Sequence, residues 1–222
     1  MKDILIKLQG VSKTYEGWRT ALKNIDLEIE KGEFLFLVGA SGAGKTTLLK
    51  LLWMEEEPSS GMVFVDGYSS LEKDKKRLSE LRQKLGIVFE DLKLMKKRTL
   101  EENLSFPLRV LGKKEKYIKA KVAELLGVFN LYSKRRFFPE EISTGEKKKL
   151  AIARAVINEP LIILGDEPFG GLDENFSSEM IEFFKDINLK GTTVFLATHR
   201  VDLIKDFRRR IVKLENGEII RR

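Results

Sequence analysis

An eight-residue segment rich in glycine, residues 39–46, limits the possible folds of this chain more than any other feature. It reads Gly-Ala-Ser-Gly-Ala-Gly-Lys-Thr, follows the apolar run Phe34–Val38 and precedes residues 47–52, which have the pattern of a helix. A strand, a tight glycine turn and a helix in this order match the phosphate-binding loop at every fixed position. Backbone N–H groups at the start of a helix lack partners within it and favour an anion there. The segment therefore predicts a binding site for the phosphates of a nucleotide.

The side chains of this loop suggest how the phosphates would be held. Glycine lets the backbone wrap closely around a phosphate. Lys45 is placed to reach the β- and γ-phosphates, and the hydroxyl of Thr46 is placed to bind Mg²⁺. The predicted nucleotide-binding residues of the loop are Gly39, Ala40, Ser41, Gly42, Ala43, Gly44, Lys45, Thr46 and Thr47.

Composition excludes several classes of protein and of site. The 222 residues allow one domain or two small ones, and 42% of them are hydrophobic, which is ample for a core. No apolar stretch reaches the length of about 18 residues that a membrane span needs, and charges follow the first residue too soon for a secretory signal. We therefore expect a cytosolic protein. Since the chain has no cysteine, disulfides, thiolate zinc sites and cysteine nucleophiles are excluded.

The net charge of +7 raises the question of a nucleic-acid or membrane surface as partner. The basic clusters are scattered along the chain, and glutamates are interleaved with most of them. Such a pattern is typical of solvated faces rather than of one binding stripe. We therefore expect no nucleic-acid partner.

Short apolar runs bounded by turn residues predict a series of strands. They lie at residues 4–8, 22–29, 34–38, 63–66, 85–89, 161–164, 193–197 and 211–214, with a hairpin at 216–217 into a last strand at 218–220. Apolar faces at helical spacing occur over residues 118–129 and 176–187. Strands that alternate with helices predict an α/β fold with a mostly parallel sheet. Residues 91–158 show helical patterns only, so we expect a helical insertion there between two core parts, 1–90 and 159–222.

Two adjacent carboxylates, Asp166 and Glu167, follow the strand predicted at residues 161–164. Burying two carboxylates at the end of a strand is costly unless a metal or nearby cations compensate. In ATPases with a phosphate-binding loop, the aspartate of such a strand helps to hold Mg²⁺, and the next carboxylate can polarise a water toward the γ-phosphate. We therefore predict Asp166 as a metal ligand and Glu167 as a catalytic residue, together with Lys45.

The single histidine, His199, follows another apolar run at residues 193–198. A lone histidine is more often structural, but ligands gather at the carboxyl ends of parallel strands. Its imidazole can donate a hydrogen bond to a γ-phosphate or to an attacking water. We predict His199 as a third catalytic residue.

Six motifs in chain order resemble those of the ATP-binding cassette (ABC) ATPases of membrane transporters. They are Tyr15, where the family stacks an aromatic ring on adenine; residues 39–46, the Walker A loop; residues 142–146, the family signature; Asp166 and Glu167, the end of Walker B; residues 171–173, the D-loop; and His199, the switch histidine. The resemblance spans essentially the whole chain. It implies ATP hydrolysis with ATP and Mg²⁺ as cofactors, on a P-loop NTPase (RecA-like) core with an antiparallel β subdomain and an inserted α-helical subdomain.

The signature implies a second copy of the chain. In this family it packs against the phosphate loop of another subunit, so that two ATP molecules lie inside a head-to-tail homodimer. The resemblance thus implies that Ser143, Gly145 and Glu146 bind the nucleotide held by the other copy. The chemistry agrees, because Ser143 offers a hydroxyl, Gly145 offers a close backbone N–H, and a helix N-terminus favours phosphate.

Residues 98–108 and 151–158 resemble the cell-division branch of the family, in which the ATPase partners an integral membrane protein. This implies a peripheral position at the cytoplasmic face of the inner (cell) membrane, with membrane contact through the partner. Residues 90–98 would couple ATP-driven closure to that partner and so to cell-wall hydrolases.

Lipoprotein release and macrolide export are alternatives with the same chemistry. DNA-associated ATPases share the dimer, but their long coiled coil has no counterpart in this sequence.

Two positions depart from the family pattern. Glu90 stands where the family carries glutamine; a carboxylate is a competent Mg²⁺ ligand, and we predict Glu90 as a metal ligand beside Thr46 and Asp166. Glu90 also adds negative charge near a triphosphate and cannot donate to water, which predicts slower or retuned hydrolysis.

Thr144 replaces the first signature glycine, and its Cβ is expected to hinder close approach or a left-handed backbone, which would weaken dimerisation. An ATP-binding regulator with little turnover is the remaining alternative.

Overall fold

Two β-sheets organise the computed structural model, which describes residues 3–16, 19–205 and 207–221. Strands β1 (Ile4–Tyr15), β2 (Arg19–Glu30), β4 (Ser60–Val65) and β5 (Tyr68–Ser69) form an antiparallel sheet in the order β2-β1-β4-β5. Strands β3 (Phe34–Val38), β6 (Leu85–Val88), β7 (Ile162–Asp166), β8 (Thr193–Thr198), β9 (Arg210–Glu215) and β10 (Glu218–Arg221) form the second sheet in the order β10-β9-β3-β8-β7-β6. Its strands pair in parallel except β10, which is antiparallel to β9. The predicted α/β fold with a mostly parallel sheet is confirmed.

The described residues also form six α-helices. They are α1 (Lys45–Leu52), α2 (Lys75–Gln83), α3 (Leu100–Val110), α4 (Glu115–Val128), α5 (Thr144–Val156) and α6 (Glu174–Leu189). Helices α3, α4 and α5 pack on one another. Together with short 3-10 helices at Tyr132–Lys134 and Pro139–Glu141, they form the regular structure of residues 91–158, where no strand occurs. The division of the chain into a core and an inserted subdomain stays a prediction.

Alternate residues of β3 belong to two separate apolar clusters. Phe34 and Phe36 pack in the cluster that contains residues of α3 to α6, whereas Leu35 and Leu37 pack in the cluster that contains α1 and the antiparallel sheet. Because both faces of the parallel sheet are covered, its central strands are apolar at nearly every position. This explains why the sequence showed them as continuous apolar runs.

The parallel sheet places the predicted motifs at one edge. Strand β3 leads into residues 39–46, β7 ends at Asp166, and β8 ends at Thr198, one residue before His199. Strand β8 lies between β3 and β7, with Thr198 paired with Val38. The carboxyl ends of neighbouring parallel strands meet at the same edge. The loop, the carboxylate pair and the histidine are therefore neighbours in space.

The boundaries differ from the predictions in instructive places. The predicted strands are present, but β1 extends to Tyr15, and α1 begins at Lys45, two residues earlier than expected. Helix α2 was not predicted, because Leu81 is its only buried residue and it therefore has no apolar stripe. The two-residue strand β5 was not predicted either.

One buried amide ties α3 to the segment that precedes it. Asn103 is fully buried, and its side-chain oxygen accepts from the Met95 N–H at 2.9 Å. Its side-chain nitrogen donates to the carbonyls of Met95, Arg98 and Thr99 at 3.0–3.1 Å. Removing this side chain would leave several buried backbone groups without a hydrogen-bond partner, which lowers the stability of the fold. Asn103 therefore fixes the approach of the chain to α3.

We expect the substitution Asn103→Ala to lower the free energy of unfolding by about 3 kcal/mol, because the stranded groups lose their partners. Urea denaturation followed by circular dichroism measures the effect. Asn175→Ala, at an exposed position of α6, is the matched control and should change stability by less than about 0.5 kcal/mol. Equal stability of the two variants would contradict the role given to the buried amide.

Candidate active site

A cavity of about 1080 Å³ opens where the edge of the parallel sheet meets the end of β1. Its lining includes most of the predicted site residues, namely Tyr15, Ala40, Ser41, Gly42, Gly44, Lys45, Thr46, Thr47, Glu90, Asp166, Glu167 and His199. The structure thus brings the predicted catalytic and metal-binding residues to one place. The volume suits a ligand the size of a nucleotide.

Glycine is required in the loop by close approaches of backbone. A Cβ on Gly39 would lie 2.4 Å from the Leu214 carbonyl oxygen, and one on Gly44 would lie 2.5 Å from that of Ala21. Gly44 also has φ 109°, a left-handed conformation that other residues rarely adopt. The loop is therefore wedged between β2 and β9, which fixes its shape before any ligand binds.

Lys45 spans the mouth of the loop. Its ammonium donates to the carbonyls of Gly39 at 2.8 Å and Ala40 at 3.2 Å, and it lies 3.4 Å from the Glu167 carboxylate. The residue is only 7% exposed, so its charge acts in a poorly solvated place. This arrangement holds a cation where the loop would receive phosphate oxygens.

Three neighbours orient the Glu167 carboxylate. The Thr198 hydroxyl donates to one oxygen at 3.1 Å, while His199 Nδ1 lies 2.9 Å and Lys45 Nζ 3.4 Å from the other. The backbone of Glu167 has φ 48°, which is uncommon for a residue with a side chain and is typical of functional sites. Thr198 was missed by the sequence analysis. A hydroxyl in the last position of a buried strand, next to His199, was the available signal.

Asp166 carries an oxygen without a partner. The residue is 2% exposed, and its Oδ1 accepts no hydrogen bond. Burial raises the pKa of Asp166, as do the charges of Glu90 and Glu167, whereas the Thr46 hydroxyl and Lys45 act in the opposite direction. A buried, unsatisfied carboxylate oxygen beside a hydroxyl fits a hard divalent cation such as Mg²⁺.

The cation would need ligands from outside the protein. Among the described residues, no group of three or more acidic, histidine or cysteine side chains is arranged to hold a metal. Mg²⁺ typically uses one or two carboxylates together with substrate phosphates and water. The donors Thr46, Asp166 and Glu90 all line the cavity, so the site fits an ion that binds with a nucleotide.

Tyr15, at the end of β1, also lines the cavity. Its hydroxyl is 3.5 Å from the Thr47 hydroxyl, and the Lys13 ammonium lies 5.0 Å from its ring centre. The ring is therefore held at the entrance to the loop by contacts with β1 and α1. Its stacking on adenine stays a prediction.

The predicted signature residues lie outside this cavity. Ser143 caps α5, accepting from the Glu146 N–H at 3.2 Å, while Glu146 accepts from the Ser143 N–H at 3.0 Å. The ammonium of Lys134 lies 2.5 Å from Glu146 and lowers the pKa of that carboxyl, as does the Ser143 N–H. The Glu146 carboxylate is thus occupied by its own helix end. This leaves the Ser143 hydroxyl proton and the N–H of Gly145 as the groups offered to a ligand.

Thr144 does not have the left-handed backbone that the sequence analysis considered. It begins α5 and is not among the described residues with positive φ. A threonine in the first turn of a helix needs no special conformation. A Cβ on the next residue, Gly145, would meet only Leu172, at 3.8 Å. No residue of the part of the chain that the structure describes therefore requires glycine at position 145.

We expect Asp166→Asn to raise the stability of the nucleotide-free protein at neutral pH by about 1–3 kcal/mol. A raised pKa means that the folded protein holds this proton more tightly than the unfolded chain does, so ionisation of Asp166 opposes folding as pH rises. Thermal unfolding without nucleotide measures the change. Asp186→Asn, an exposed position of α6, removes the same charge and should leave stability unchanged. A destabilised Asp166→Asn protein would contradict this account.

Comparison with known proteins agrees with the geometry. The ABC transporter family matches residues 22–170. The cell division ATP-binding protein FtsE of Streptococcus pneumoniae is 38% identical over 217 residues, which cover 98% of this chain and 94% of that protein. The methionine import ATP-binding protein MetN of Helicobacter hepaticus is 37% identical over 98% of this chain, which spans 62% of its length.

Solved structures agree as well. The ATP-binding cassette MJ0796, determined as a dimer in a post-hydrolysis state with ADP and Pi, superposes with a TM-score of 0.91 at 33% identity, and the match covers 97% of each chain. Within residues 3–16, 19–205 and 207–221, no helix has both the length and the apolar character to cross a membrane. The chain therefore belongs to the ABC transporter family and is an ATPase of that family.

Proposed function

We propose that this chain is the Mg-ATP-hydrolysing subunit of an FtsE–FtsX-type membrane complex, and that two copies close head-to-tail around two ATP molecules. The observation that carries the ATPase chemistry is the placement of Glu167. Its carboxylate is oriented by Thr198 and His199 and lies 3.4 Å from Lys45 at the mouth of the phosphate loop. This is the arrangement that an in-line attack of water on a γ-phosphate requires.

Each side chain has a distinct part in the proposed reaction. Glu167 orients the attacking water and accepts its proton. Lys45 and the N–H groups of the loop neutralise charge on the phosphate oxygens as the γ-phosphoryl group leaves. His199, which also lines the cavity, positions that group. Bound Mg²⁺ would supply further neutralisation of the phosphates, held by Thr46, Asp166 and Glu90.

The proposed dimer is supported by the position of two signature residues outside the cavity. Ser143 and Gly145 are not part of the cavity lining, although they stand at the N-terminus of α5 with unused donors. The space beside Gly145 is open apart from one contact with Leu172. A phosphate held by a second copy fits this corner. We propose that ATP draws the two copies together for this reason, and that each site works only when the other copy completes it.

A second depression fits the proposed membrane partner. An apolar groove of about 480 Å³ lies between β6 and α3, next to the segment that follows Glu90. It includes Phe106 and Val110, which are 52% and 60% exposed, and Phe89 and Met95. Exposed aromatic side chains over a groove are typical of a protein interface. We propose that a cytoplasmic element of an FtsX-like integral membrane protein binds there and keeps the chain at the inner face of the cell membrane.

The groove is mechanically joined to α5. The Arg154 guanidinium donates to the carbonyls of Leu92 and Lys93, each at 2.7 Å. Both residues have left-handed backbones, with φ 60° and 41°, so the turn is strained and depends on this contact. Movement of α5 on ATP binding would therefore move the turn that borders the groove. We propose this turn as the coupling element.

The proposed role in cell division is supported by the relatives that the chain resembles. Proteins named FtsE from Streptococcus pneumoniae, Bacillus subtilis, Mycobacterium tuberculosis and Escherichia coli are 37–40% identical over 97–98% of this chain. These matches support the FtsE type. A partner with four membrane spans and one large extracytoplasmic domain would support control of peptidoglycan hydrolases, whereas a partner with lipoprotein-binding or efflux features would support the transporter alternative.

We expect Glu167→Gln to lose ATP turnover by at least about 100-fold, because the carboxylate that receives the water proton is gone. ATP binding should persist, so the variant should accumulate as an ATP-stabilised dimer, measured by light scattering with Mg-ATP. Glu179→Gln on α6 makes the same change at an exposed position and should behave as wild type. A fully active Glu167→Gln protein would exclude the proposed mechanism. A wild type without turnover, even with its membrane partner, would favour the ATP-binding regulator.

For the groove, we expect Phe106→Glu to reduce recovery of the membrane partner in co-purification by about tenfold, which corresponds to about 1.4 kcal/mol. ATP binding by the isolated chain should not change. Leu189→Glu alters another exposed apolar residue, 71% exposed at the end of α6, and serves as the control. Equal recovery of partner with both variants would place the docking site elsewhere.

A further inference from the structure

A second cation, Lys148, stands beside the catalytic carboxylates. It lies in the middle of α5 and is partly buried, and its ammonium donates a hydrogen bond to the carbonyl of Gly170. Burial lowers the pKa of Lys148, while the nearby carboxylates of Glu167 and Glu90 act to raise it. Placing an ammonium group away from water is costly. The proposed mechanism of hydrolysis assigns no role to Lys148.

Lys148 bears directly on the turn that carries Glu167. The Gly170 N–H donates to the Glu167 carbonyl at 3.1 Å and so closes this turn. A Cβ on Gly170 would lie 3.4 Å from the Lys148 ammonium, so the amine packs against the turn itself. Because Glu167 has a left-handed backbone, its side-chain direction depends on how firmly the turn is held.

Lys148 also adds a positive charge near the carboxylates of the site. Three carboxylates converge there, and Glu90 and Glu167 each raise the pKa of Asp166 by repulsion. Lys45 is shared between Glu167 and two loop carbonyls. Lys148 interacts electrostatically with both Glu167 and Glu90. The glutamate at position 90 is therefore accompanied by a cation on the facing helix.

We propose that Lys148 is a positioning residue for hydrolysis: it holds the Gly170 turn and balances Glu90 and Glu167, and so ties α5 to the catalytic carboxylate. Ser143, proposed to touch the ATP of the second copy, lies five residues earlier on the same helix, about 7 Å along its axis. Arrival of the second copy would thus be transmitted through α5 to Glu167. This inference rests on the role proposed above for Glu167.

The test compares steady-state kinetics of Lys148→Gln, Lys148→Arg and Glu90→Gln with the double variant. We expect Lys148→Gln to lower kcat about 10- to 100-fold, as a misplaced catalytic group does, with KM for ATP changed less than about threefold. Lys148→Arg should recover most of the rate. Adding Glu90→Gln to Lys148→Gln should restore part of it, because the charge to be balanced is gone.

A second readout does not depend on turnover. Without nucleotide, the melting temperature should fall more for Lys148→Gln in the wild-type background than in the Glu90→Gln background, by about 2–4 °C. Lys116→Gln, an exposed position of α4, removes the same charge and is the control for both measurements.

The outcomes separate this inference from the proposed function. Wild-type kcat in Lys148→Gln, or strictly additive effects of the two substitutions, would overturn the role of Lys148 even if Glu167→Gln is inactive. A loss of folded protein with unchanged kcat per active site would assign Lys148 to stability alone and would also overturn it. Turnover that survives in Glu167→Gln would remove the proposed mechanism itself.

Discussion

Two carboxylates held side by side at the end of one buried strand are the constraint around which the site is arranged. Asp166 is the last residue of β7, which is flanked by β6 and β8, and Glu167 follows it. Asp166 is 2% exposed and the Glu167 side chain 11%, so both charges have little access to water. Ionised groups in such a place need cations and donors from neighbouring elements. The lysine of the phosphate loop, the hydroxyl that ends β8 and the lysine of α5 all converge there. The arrangement of the site follows from the need to compensate the negative charges of Asp166 and Glu167.

The sequence predicted the fold wherever burial was complete. Strands β3, β7 and β8 are covered on both faces, which makes them continuous apolar runs that need no tertiary information to recognise. Helix α2 escaped prediction because it buries one residue and is otherwise polar. The sequence pattern of a strand or helix is clear only where burial determines which of its residues are apolar.

The site was predicted in part, for a related physical reason. Motifs that are continuous in the chain, such as residues 39–46 and the Asp166–Glu167 pair, carry their geometry in their own sequence. Thr198 and Lys148 do not, because their roles depend on which elements the fold places opposite them. The resemblance implies that Glu146 contacts the nucleotide of the second copy, and this stays a prediction. Within the chain, its carboxylate accepts from the Ser143 N–H and pairs with Lys134.

The position of β3 between β8 and β9 has a consequence for biogenesis. The phosphate loop follows β3, and the backbone that confines it comes from Ala21 of β2, before the loop, and from Leu214 of β9, much later in the chain. During synthesis from the N-terminus, the glycine segment leaves the ribosome long before β9 exists. A nascent chain thus carries the complete nucleotide motif without a nucleotide pocket. The nucleotide pocket is therefore completed only when β9 has joined the sheet.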